Sequence, residues 1–300
     1  MTRVAQHPVR AFAAALVAVA ALSIMDAVMK HLVLVIGIVA VSVWRAVANL
    51  AIATALYLPR RRPELSARRI KIHVARGIVV TVMAFLFFWG IGRIPLAQAI
   101  ALTFIAPLLA LILAALFLHE QIGPRSIVGS VIAFGGVLVI VLGQARGHLG
   151  SDALLGIAAI IGSALTYAIN IVLMRHQALA AEPFEINFFQ SLTIMALWLL
   201  ALPVAGLPAW PGGQWLWIAV AATLSTTGTL VFAWAYARGT ASYLSVTEYS
   251  AFIWASALGW LIVREPVSIY TAGGALLIVG GCLVAARRKF TAPPEIDVTA

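Results

Sequence analysis

The chain has 300 residues, of which 63% are hydrophobic and only 10% are charged. Soluble domains carry charge on roughly a quarter of their residues, so this composition excludes a water-soluble globular protein and indicates lipid as the main solvent. The net charge of +10 does not indicate nucleic-acid binding, because the basic residues lie in short blocks between apolar segments. A single cysteine, Cys282, excludes an internal disulfide and a cysteine-based metal site.

Apolar segments long enough to cross a bilayer follow one another along the whole chain. A helix needs about 20 residues to cross ~30 Å of hydrocarbon, and only helices or closed barrels satisfy the backbone there. The sequence predicts an all-α integral membrane protein with ten transmembrane helices, at 9–29, 32–57, 72–92, 95–118, 125–143, 152–174, 184–204, 213–237, 241–263 and 268–286. The first segment also resembles a signal peptide with cleavage near "AVAAL", but its recurrence later in the chain argues for a retained helix.

The basic residues between the segments predict the orientation. With both termini in the cytoplasm, 15 lysines and arginines lie inside and four lie outside. The four outer ones are Lys30, Arg93, Arg146 and Arg264. An excess of positive charge marks the cytoplasmic side, so we expect a multi-pass protein of the cytoplasmic membrane with both termini inside.

The second half of the sequence repeats the first. A shift of 145 residues aligns "FLFFWGIGR" (85–93) with "LVFAWAYAR" (230–238) and matches Glu120 with Glu265. The predicted units are 9–143 and 152–286, followed by a cytoplasmic tail at 287–300. Each unit has five spans, so the second enters the membrane from the opposite face. Such inverted repeats are typical of secondary transporters, with the substrate site near mid-membrane.

Two stretches resemble a known family. They are "IPLAQAIALTFIAPLLALILAALFLHEQIGPRSIVGSVIAFGGVLVIVLG" (94–143) and the weaker copy "GTASYLSVTEYSAFIWASALGWLIVREPVSIYTAGGALLIVGGCLVA" (239–285). Both are similar to EamA domains of the drug/metabolite transporter superfamily, with Pro107 in the fourth span, span-ending glutamates and a glycine-rich fifth span. The second copy departs by having Phe252 in place of Pro107. The resemblance implies a carrier whose cargo is an amino acid, nucleobase, vitamin or drug.

Charges inside the spans are the first candidates for the site, because lipid penalises them. They are Asp26, Arg45 and Glu248. Arg45 lies roughly 15–20 Å above the cytoplasmic end of its span and Glu248 about 10 Å above the start of span nine, whereas Asp26 lies near the outer end of span one. We therefore expect Arg45 to pair with Glu248. Three interpretations of Arg45 remain open: a purely structural ion pair, direct contact with an anionic cargo group, and snorkelling of its side chain to an interface.

Other polar and aromatic side chains complete the predicted site. In the sequence repeat, the polar Gln190 occupies the position that corresponds to Arg45. Asp26 and Glu248 are candidates for proton coupling, because burial favours a protonated carboxyl group. Aromatic and weakly polar walls suit a small amphiphilic molecule. The predicted substrate-binding residues are Arg45, Trp89, Gln98, Thr103, Phe104, Gln190, Trp234, Tyr243, Thr247, Glu248 and Trp254.

The predicted function is secondary active transport of a small organic metabolite by alternating access. Export of amino acids or related metabolites is the first expectation, and uptake of a nucleobase-, vitamin- or nucleoside-like compound is the alternative. A membrane-embedded enzyme, a structural or sensor protein and a channel are rival classes; no metal-ligand spacing, P-loop or filter-like loop supports them. We expect no cofactor, metal or nucleic-acid partner. The glycine-rich spans five and ten predict a helix contact or a homodimer face.

Overall fold

The computed structural model describes residues 8–60, 66–106, 109, 124–145, 150–178, 181–236, 247–248 and 250–286. This part of the chain forms α-helices joined by short turns. In chain order they are α1 (Pro8–Ile36), α2 (Ile38–Tyr57), α3 (Ala67–Ile91), α4 (Leu96–Thr103), α5 (Pro124–Ala145), α6 (Ser151–Ala178), α7 (Pro183–Ala205), α8 (Trp215–Tyr236), α9 (Ser250–Leu258) and α10 (Ile269–Ala286).

Six of these helices are long and apolar enough to cross a membrane. The spans are Val9–Ile36, Ile38–Arg60, Arg69–Ile91, Ser151–Asn170, Pro183–Ala205 and Gly212–Ala235. Shorter apolar helical stretches cover Ile127–Gly143, Ser250–Val263 and Ile269–Gly281. The prediction of an all-helical membrane protein is therefore confirmed, whereas the count of ten spans in two repeats remains a prediction.

The break between the first two helices is not where the sequence predicted it. We expected α1 to end at residue 29, because Lys30 is charged; instead the helix continues to Ile36, and the chain turns at Gly37, whose φ is 79°. Few residues other than glycine adopt such a φ without strain. Lys30 is therefore not a loop residue. Its side chain is 2% exposed and forms an ion pair with Glu265, which compensates the buried charge.

Helices from the two ends of the sequence pack against each other. The largest contacts join α1 to α8, α3 to α6, α2 to α7, and α5 to α10. Smaller contacts join α4 to α6 and α1 to α9. The halves of the chain are therefore interleaved and form one packed bundle, with a main core of small and branched apolar side chains.

Glycines allow α5 and α10 to approach closely. A methyl group at Gly136 would lie 2.6 Å from the Gly274 carbonyl oxygen, and one at Gly281 would lie 2.5 Å from the Gly129 carbonyl oxygen. By contrast, Gly280 has no neighbouring atom within 4 Å of such a group. The helix contact predicted for these spans is thus present within one chain, whereas a homodimer remains a prediction.

Two helices lose regular α geometry near the centre of the sequence repeats. In α4, Phe104 and Ile105 bond back to carbonyls three residues earlier, and this tightening precedes Pro107. After α9, a π-helix covers Gly259–Val263 and leads to Arg264, which has a φ of 61°. The next residue is Glu265, so this wide turn determines where its carboxylate points.

Candidate functional site

Arg45 lies inside the helix bundle, as its charge requires. It is 9% exposed, and its guanidinium carbon lies 4.9 Å from the centre of the Phe88 ring on α3. Within the described part of the chain, its Nε atom is buried without a hydrogen-bond partner. A buried donor without an acceptor is costly. Arg45 therefore offers an unused donor next to an aromatic face.

Asp26 is the carboxylate that acts electrostatically on Arg45. It is surrounded by protein, yet part of its side chain remains accessible to a water-sized molecule. Asp26 is thus deep in the bundle but not fully enclosed by its neighbours. Among the described residues, no ion pair within 4.0 Å joins Asp26 to Arg45, so the two groups interact electrostatically without a direct contact.

The helical hairpin explains why Asp26 is closer than we expected. Counted from the turn at Gly37, Asp26 lies 11 residues down α1 and Arg45 eight residues down α2. At ~1.5 Å per residue these depths differ by only about 4–5 Å. The prediction had placed Asp26 near the outer membrane surface because it ended α1 at residue 29. With the longer helix, Asp26 lies nearly level with Arg45 along the hairpin.

In the described part of the chain, Glu248 contacts Tyr167 rather than the predicted Arg45. Its Oε2 atom accepts a hydrogen bond from the Tyr167 hydroxyl on α6 at 3.3 Å. No ion pair with Arg45 occurs among the described residues, so the predicted Arg45–Glu248 pair is wrong for this conformation. Asp26, on the helix that directly precedes α2, is instead the carboxylate that acts electrostatically on Arg45.

Further buried amide groups have unused hydrogen-bonding atoms in the described part of the chain. Gln98 on α4 is 2% exposed and its Nε2 has no partner. The Oδ1 atom of Asn49 and the Oε1 atom of Gln190 are also unpartnered. Asn49 follows Arg45 by one helical turn, and Gln190 is on α7, which packs against α2. Donors and acceptors are thus both available to a polar cargo.

The predicted aromatic wall is only partly brought together. Phe104 is 7% exposed and Thr247 is 1% exposed, so both lie in the interior. Trp234 and Trp254 are each 40% exposed, which places them on the surface of the bundle. The Arg93 guanidinium carbon lies 3.4 Å from the centre of the Trp89 ring. The Thr103 hydroxyl donates to the Ile100 carbonyl oxygen, and Tyr243 lies outside the described residues.

An ion pair joins helices of the two sequence halves at the end of the bundle that the predicted orientation places outside. The Lys30 Nζ lies 2.5 Å from Glu265 Oε1 and also donates to the Ile94 carbonyl oxygen at 2.6 Å. The other carboxylate oxygen of Glu265 accepts from the Leu96 backbone N–H at 2.9 Å. Since Leu96 begins α4, the carboxylate also satisfies an otherwise free N–H at that helix terminus. This group of contacts ties α1, α4 and the end of α9 together.

A second polar network lies at the cytoplasmic ends of α3, α6 and α7 in the predicted orientation. Arg69 Nη2 donates to Glu185 Oε2 at 2.8 Å, and His73 Nε2 lies 3.0 Å from Glu185 Oε1. Arg76 donates through Nη1 to Gln177 Oε1 at 2.6 Å, and through Nε to an amide oxygen on α6. The second acceptor is Asn170, at 2.9 Å.

Sequence reasoning missed most of this network, although a signal was present. Arg69, His73 and Arg76 follow i, i+4, i+7 spacing, which places them on one helix face. We had assigned Arg76 to the cytoplasmic boundary by its charge, but it is 6% exposed inside α3. Its partners on α6 are uncharged amides, and no property of an isolated amide predicts such a contact.

The packed apolar helices, the buried polar groups and the internal carboxylate define a membrane transport protein. The EamA-like transporter family matches residues 9–142 and 154–287, and the chain belongs to this family. A solved crystal structure with 22% sequence identity aligns with a TM-score of 0.62 over 92% of this chain and 96% of its own. At that identity the likeness supports the shared fold alone.

Several relatives carry functional names. The chain is 28% identical to the pseudopaline exporter CntI of Pseudomonas aeruginosa over 80% of this chain and 84% of that one. It is 25% identical to a riboflavin transporter of Vibrio cholerae over 85% and 86%, respectively. It is 31% identical to a probable terminal-alkyne amino-acid exporter of Streptantibioticus cattleyicolor over 66% and 67%. These names indicate a transporter rather than an enzyme, in a multi-pass inner membrane setting.

Proposed function

We propose that the protein is a secondary active transporter that moves a small organic metabolite by alternating access, with ten spans arranged as two inverted repeats. The packing pattern supports the repeat. In such a repeat α1 corresponds to α6, α3 to α8 and α4 to α9. The α1–α8 contact then corresponds to the α6–α3 contact, and the α1–α9 contact to the α6–α4 contact. All four contacts are present. The family also matches the chain twice, once in each half. Two similar halves can form outward-open and inward-open arrangements of comparable energy.

The unpartnered Arg45 carries the proposal for the cargo. A guanidinium with a free Nε, held against an aromatic ring, suits a carboxylate on a small molecule with an apolar part. Asp26, which acts electrostatically on Arg45, suits an ammonium group or a proton. These groups together favour an amino acid or a related metabolite that carries both charges. The relatives named as exporters of pseudopaline and of an amino acid support export as the direction.

A second candidate function is uptake of a vitamin-like compound. The relatives named as riboflavin transporters support it, and the Phe88 ring beside Arg45 offers a face on which a planar heterocycle can stack. The unpartnered amides of Gln98 and Gln190 would then recognise its polar edge. This candidate predicts that aromatic substitutions at Phe88 are tolerated, whereas an aliphatic one weakens binding.

The orientation and coupling follow from the charge pattern. Both termini are placed in the cytoplasm, because most lysines and arginines then lie inside. Asp26 is the first candidate for proton coupling and Glu248 the second, since both are carboxyl groups within helices of the bundle. A homodimer would use the outward glycines of α5 and α10, of which Gly135, Gly273 and Gly280 have open space around them.

Metabolite profiling of cells with and without the gene, followed by counterflow into proteoliposomes, tests the function. A carrier shows saturable, protein-dependent exchange of the solute found by profiling, whereas a channel shows no counterflow. If no solute that differs between the cells is exchanged by the purified protein, the transporter proposal fails. The direction follows from which side of the membrane the solute accumulates on when the gene is deleted.

Substitution of Arg45 tests its contact with cargo. Arg45→Lys keeps the charge but removes the planar fork, and a hydrogen bond to a charged group contributes about 1.5–3 kcal/mol. We therefore expect the half-saturating solute concentration to rise roughly 10- to 100-fold. Arg60→Lys, at the exposed end of α2, is the matched control and should leave exchange unchanged. An Arg45→Lys protein with parental half-saturation would exclude cargo contact.

Asp26→Asn separates cargo binding from proton coupling. The substitution should abolish accumulation driven by a pH gradient, because the amide cannot take up a proton. Solute exchange without a gradient should continue if Asp26 carries only a proton, and should weaken if Asp26 also binds the ammonium group of the cargo. Glu248→Gln is the comparison, and it should retain coupling if Asp26 is the coupling site. Gradient-driven accumulation by the Asp26→Asn protein would contradict this assignment.

A further inference from the structure

His73 is the group in the cytoplasmic network that can change its charge near neutral pH. It is 1% exposed, and its ring stacks on Phe189 of α7 with 4.8 Å between ring centres and 13° between planes. Both ring nitrogens are engaged: Nε2 lies 3.0 Å from Glu185 Oε1, and Nδ1 lies 2.5 Å from Gln177 Nε2. The imidazole therefore bridges α7 and α6 from its position on α3.

The neighbouring arginine fixes which hydrogen-bonding roles the imidazole has. Arginine can only donate, so the Gln177 atom that receives the Arg76 Nη1 hydrogen must be the amide oxygen. The amide NH₂ group of Gln177 must then face His73, and Nδ1 must accept its hydrogen. The proton of a neutral ring therefore lies on Nε2, where it is donated to the Glu185 carboxylate. The network is complete only with this tautomer.

A proton added at Nδ1 has no acceptor in this arrangement. It would point at the Gln177 NH₂ group, and two donors would then face each other. Gln177 cannot rotate its amide to accept the proton, because its oxygen would leave Arg76 and its NH₂ group would face the guanidinium instead. The contact between α3 and α6 must therefore break or rearrange when His73 becomes charged, while the contact to Glu185 becomes an ion pair.

The other charged groups around His73 are those of the same network. Arg69 and Arg76 lie one turn away on α3, and Glu185 faces the ring from α7. From α6 the facing groups are the neutral amides of Gln177 and Asn170. Tyr57 of α2 contacts the far side of the Phe189 ring. A single carboxylate thus faces two arginines and the imidazole, and Glu185 already accepts from Arg69.

We propose that His73, held between Glu185 and Gln177, is a proton-binding site, and that proton uptake separates α3 from α6 at the cytoplasmic end of the bundle. The site lies apart from Asp26 and Arg45, which the proposed function assigns to cargo and coupling. Tyr167 connects the two regions, because it donates to Glu248 and lies within electrostatic range of Arg76. Separation of α3 from α6 on proton uptake at His73 would open the bundle on the side that holds this network.

The tautomer is tested directly by nitrogen-15 NMR of histidine-labelled protein in lipid nanodiscs. The sequence has six histidines, and the spectrum of the His73→Gln protein assigns His73 by difference. At pH 8.5 we expect a neutral ring with the proton on Nε2, and on acidification a fully protonated ring. A neutral ring with the proton on Nδ1, or a ring already charged at pH 8.5, would overturn the proposal.

The movement is tested by distance measurement between spin labels on Lys71→Cys of α3 and Ile169→Cys of α6, both exposed positions, in a Cys282→Ala background. We expect one short distance at pH 8.5 and an additional longer distance at pH 5, with the same midpoint as the NMR change. His73→Gln should keep the short distance at every pH, because its amide can accept from Gln177 and donate to Glu185. A His73→Gln protein that still separates on acidification, or a parent that does not separate while His73 titrates, refutes the proposal.

Gln177→Glu provides the decisive comparison in both measurements. Its carboxylate accepts from both Arg76 and a charged imidazole, so the NMR midpoint of His73 should move roughly 1–3 pH units higher and the short distance should persist when the ring is charged. Asn170→Asp adds the same charge beside Arg76 without contacting His73, so it should give a smaller NMR shift and should still separate. Equal NMR shifts in the two variants, or separation of the Gln177→Glu protein when its ring is charged, would show that the Nδ1 contact does not control the movement. These measurements need no cargo, so their failure is distinguishable from a failure of transport.

Discussion

The ion pair between Lys30 and Glu265 allows a sharp test of the structure, because its two members differ in burial. The Lys30 side chain is 2% exposed, whereas that of Glu265 is 23% exposed and keeps a second hydrogen bond from the Leu96 N–H. Removing one partner of a buried pair typically costs about 3–5 kcal/mol, because the other charge is left uncompensated. The two single substitutions should therefore have unequal effects.

Glu265→Gln should be the more destabilising substitution. It leaves the lysine with the Ile94 carbonyl as its described acceptor and without a compensating negative charge, so the full cost of about 3–5 kcal/mol applies. Lys30→Met leaves a carboxylate that water can reach and that retains the Leu96 N–H, so we expect about 1–3 kcal/mol. The double substitution removes both charges and should lie within about 1–2 kcal/mol of the parent protein.

The stability of the two single-substitution proteins and of the double-substitution protein is measured by thermal unfolding in detergent. The fluorescence of the nine tryptophans reports the unfolding. At roughly 2–4 °C per kcal/mol, Glu265→Gln should lower Tm by about 6–20 °C. Asp152→Asn is the control, because the Arg93–Asp152 pair spans 3.7 Å and Asp152 is 81% exposed. Exposed pairs contribute about 0–1 kcal/mol. Additive effects of the two single substitutions, or a larger loss for Lys30→Met, would refute the reasoning.

Other substitutions test the orientation and the helix packing. Ala67→Cys in a Cys282→Ala background should react with an impermeant thiol reagent only after the membrane is opened, because the predicted orientation puts the start of α3 on the cytoplasmic side; labelling of intact cells would reverse the orientation. Gly281→Leu should reduce the yield of folded protein severalfold, since its side chain would meet the Gly129 carbonyl. Gly280→Leu is the matched control with open space around it, and equal yields of the two would argue against the α5–α10 contact.

The membrane character and the family were predictable from the sequence because they depend on local properties. Apolar length, basic loops and the motifs around Pro107 and Glu265 are all visible without knowing any contact. Burial of Arg45 also followed from its charge, since lipid excludes an unpaired guanidinium. The interaction of Arg45 with Asp26 could not be predicted in this way. It depends on the position of Asp26 along α1, and α1 is longer than the sequence predicted.

The polar networks were not predictable because each joins segments far apart in the chain. The charge of Lys30 led to the prediction that it lies in a loop, because no nearby residue in the sequence indicates that Glu265 compensates this charge. The same holds for His73, whose partners lie on α6 and α7. A charge near the end of an apolar segment has two physical solutions, exposure to water or pairing inside the protein, and the sequence of one segment does not distinguish them.

The length of α1 has a consequence for the surrounding lipid. Its apolar part, Val9–Ile36, has 28 residues, whereas the next span begins at Ile38 and has 23. At ~1.5 Å per residue the first is about 42 Å long, which exceeds the ~30 Å hydrocarbon thickness of a typical bilayer. Such a helix must tilt, project or thicken the membrane around it. Because α1 also carries Asp26 and Lys30, a change of bilayer thickness that alters its tilt would move both charges relative to their partners. We therefore expect the transport rate to depend on the acyl-chain length of the lipid.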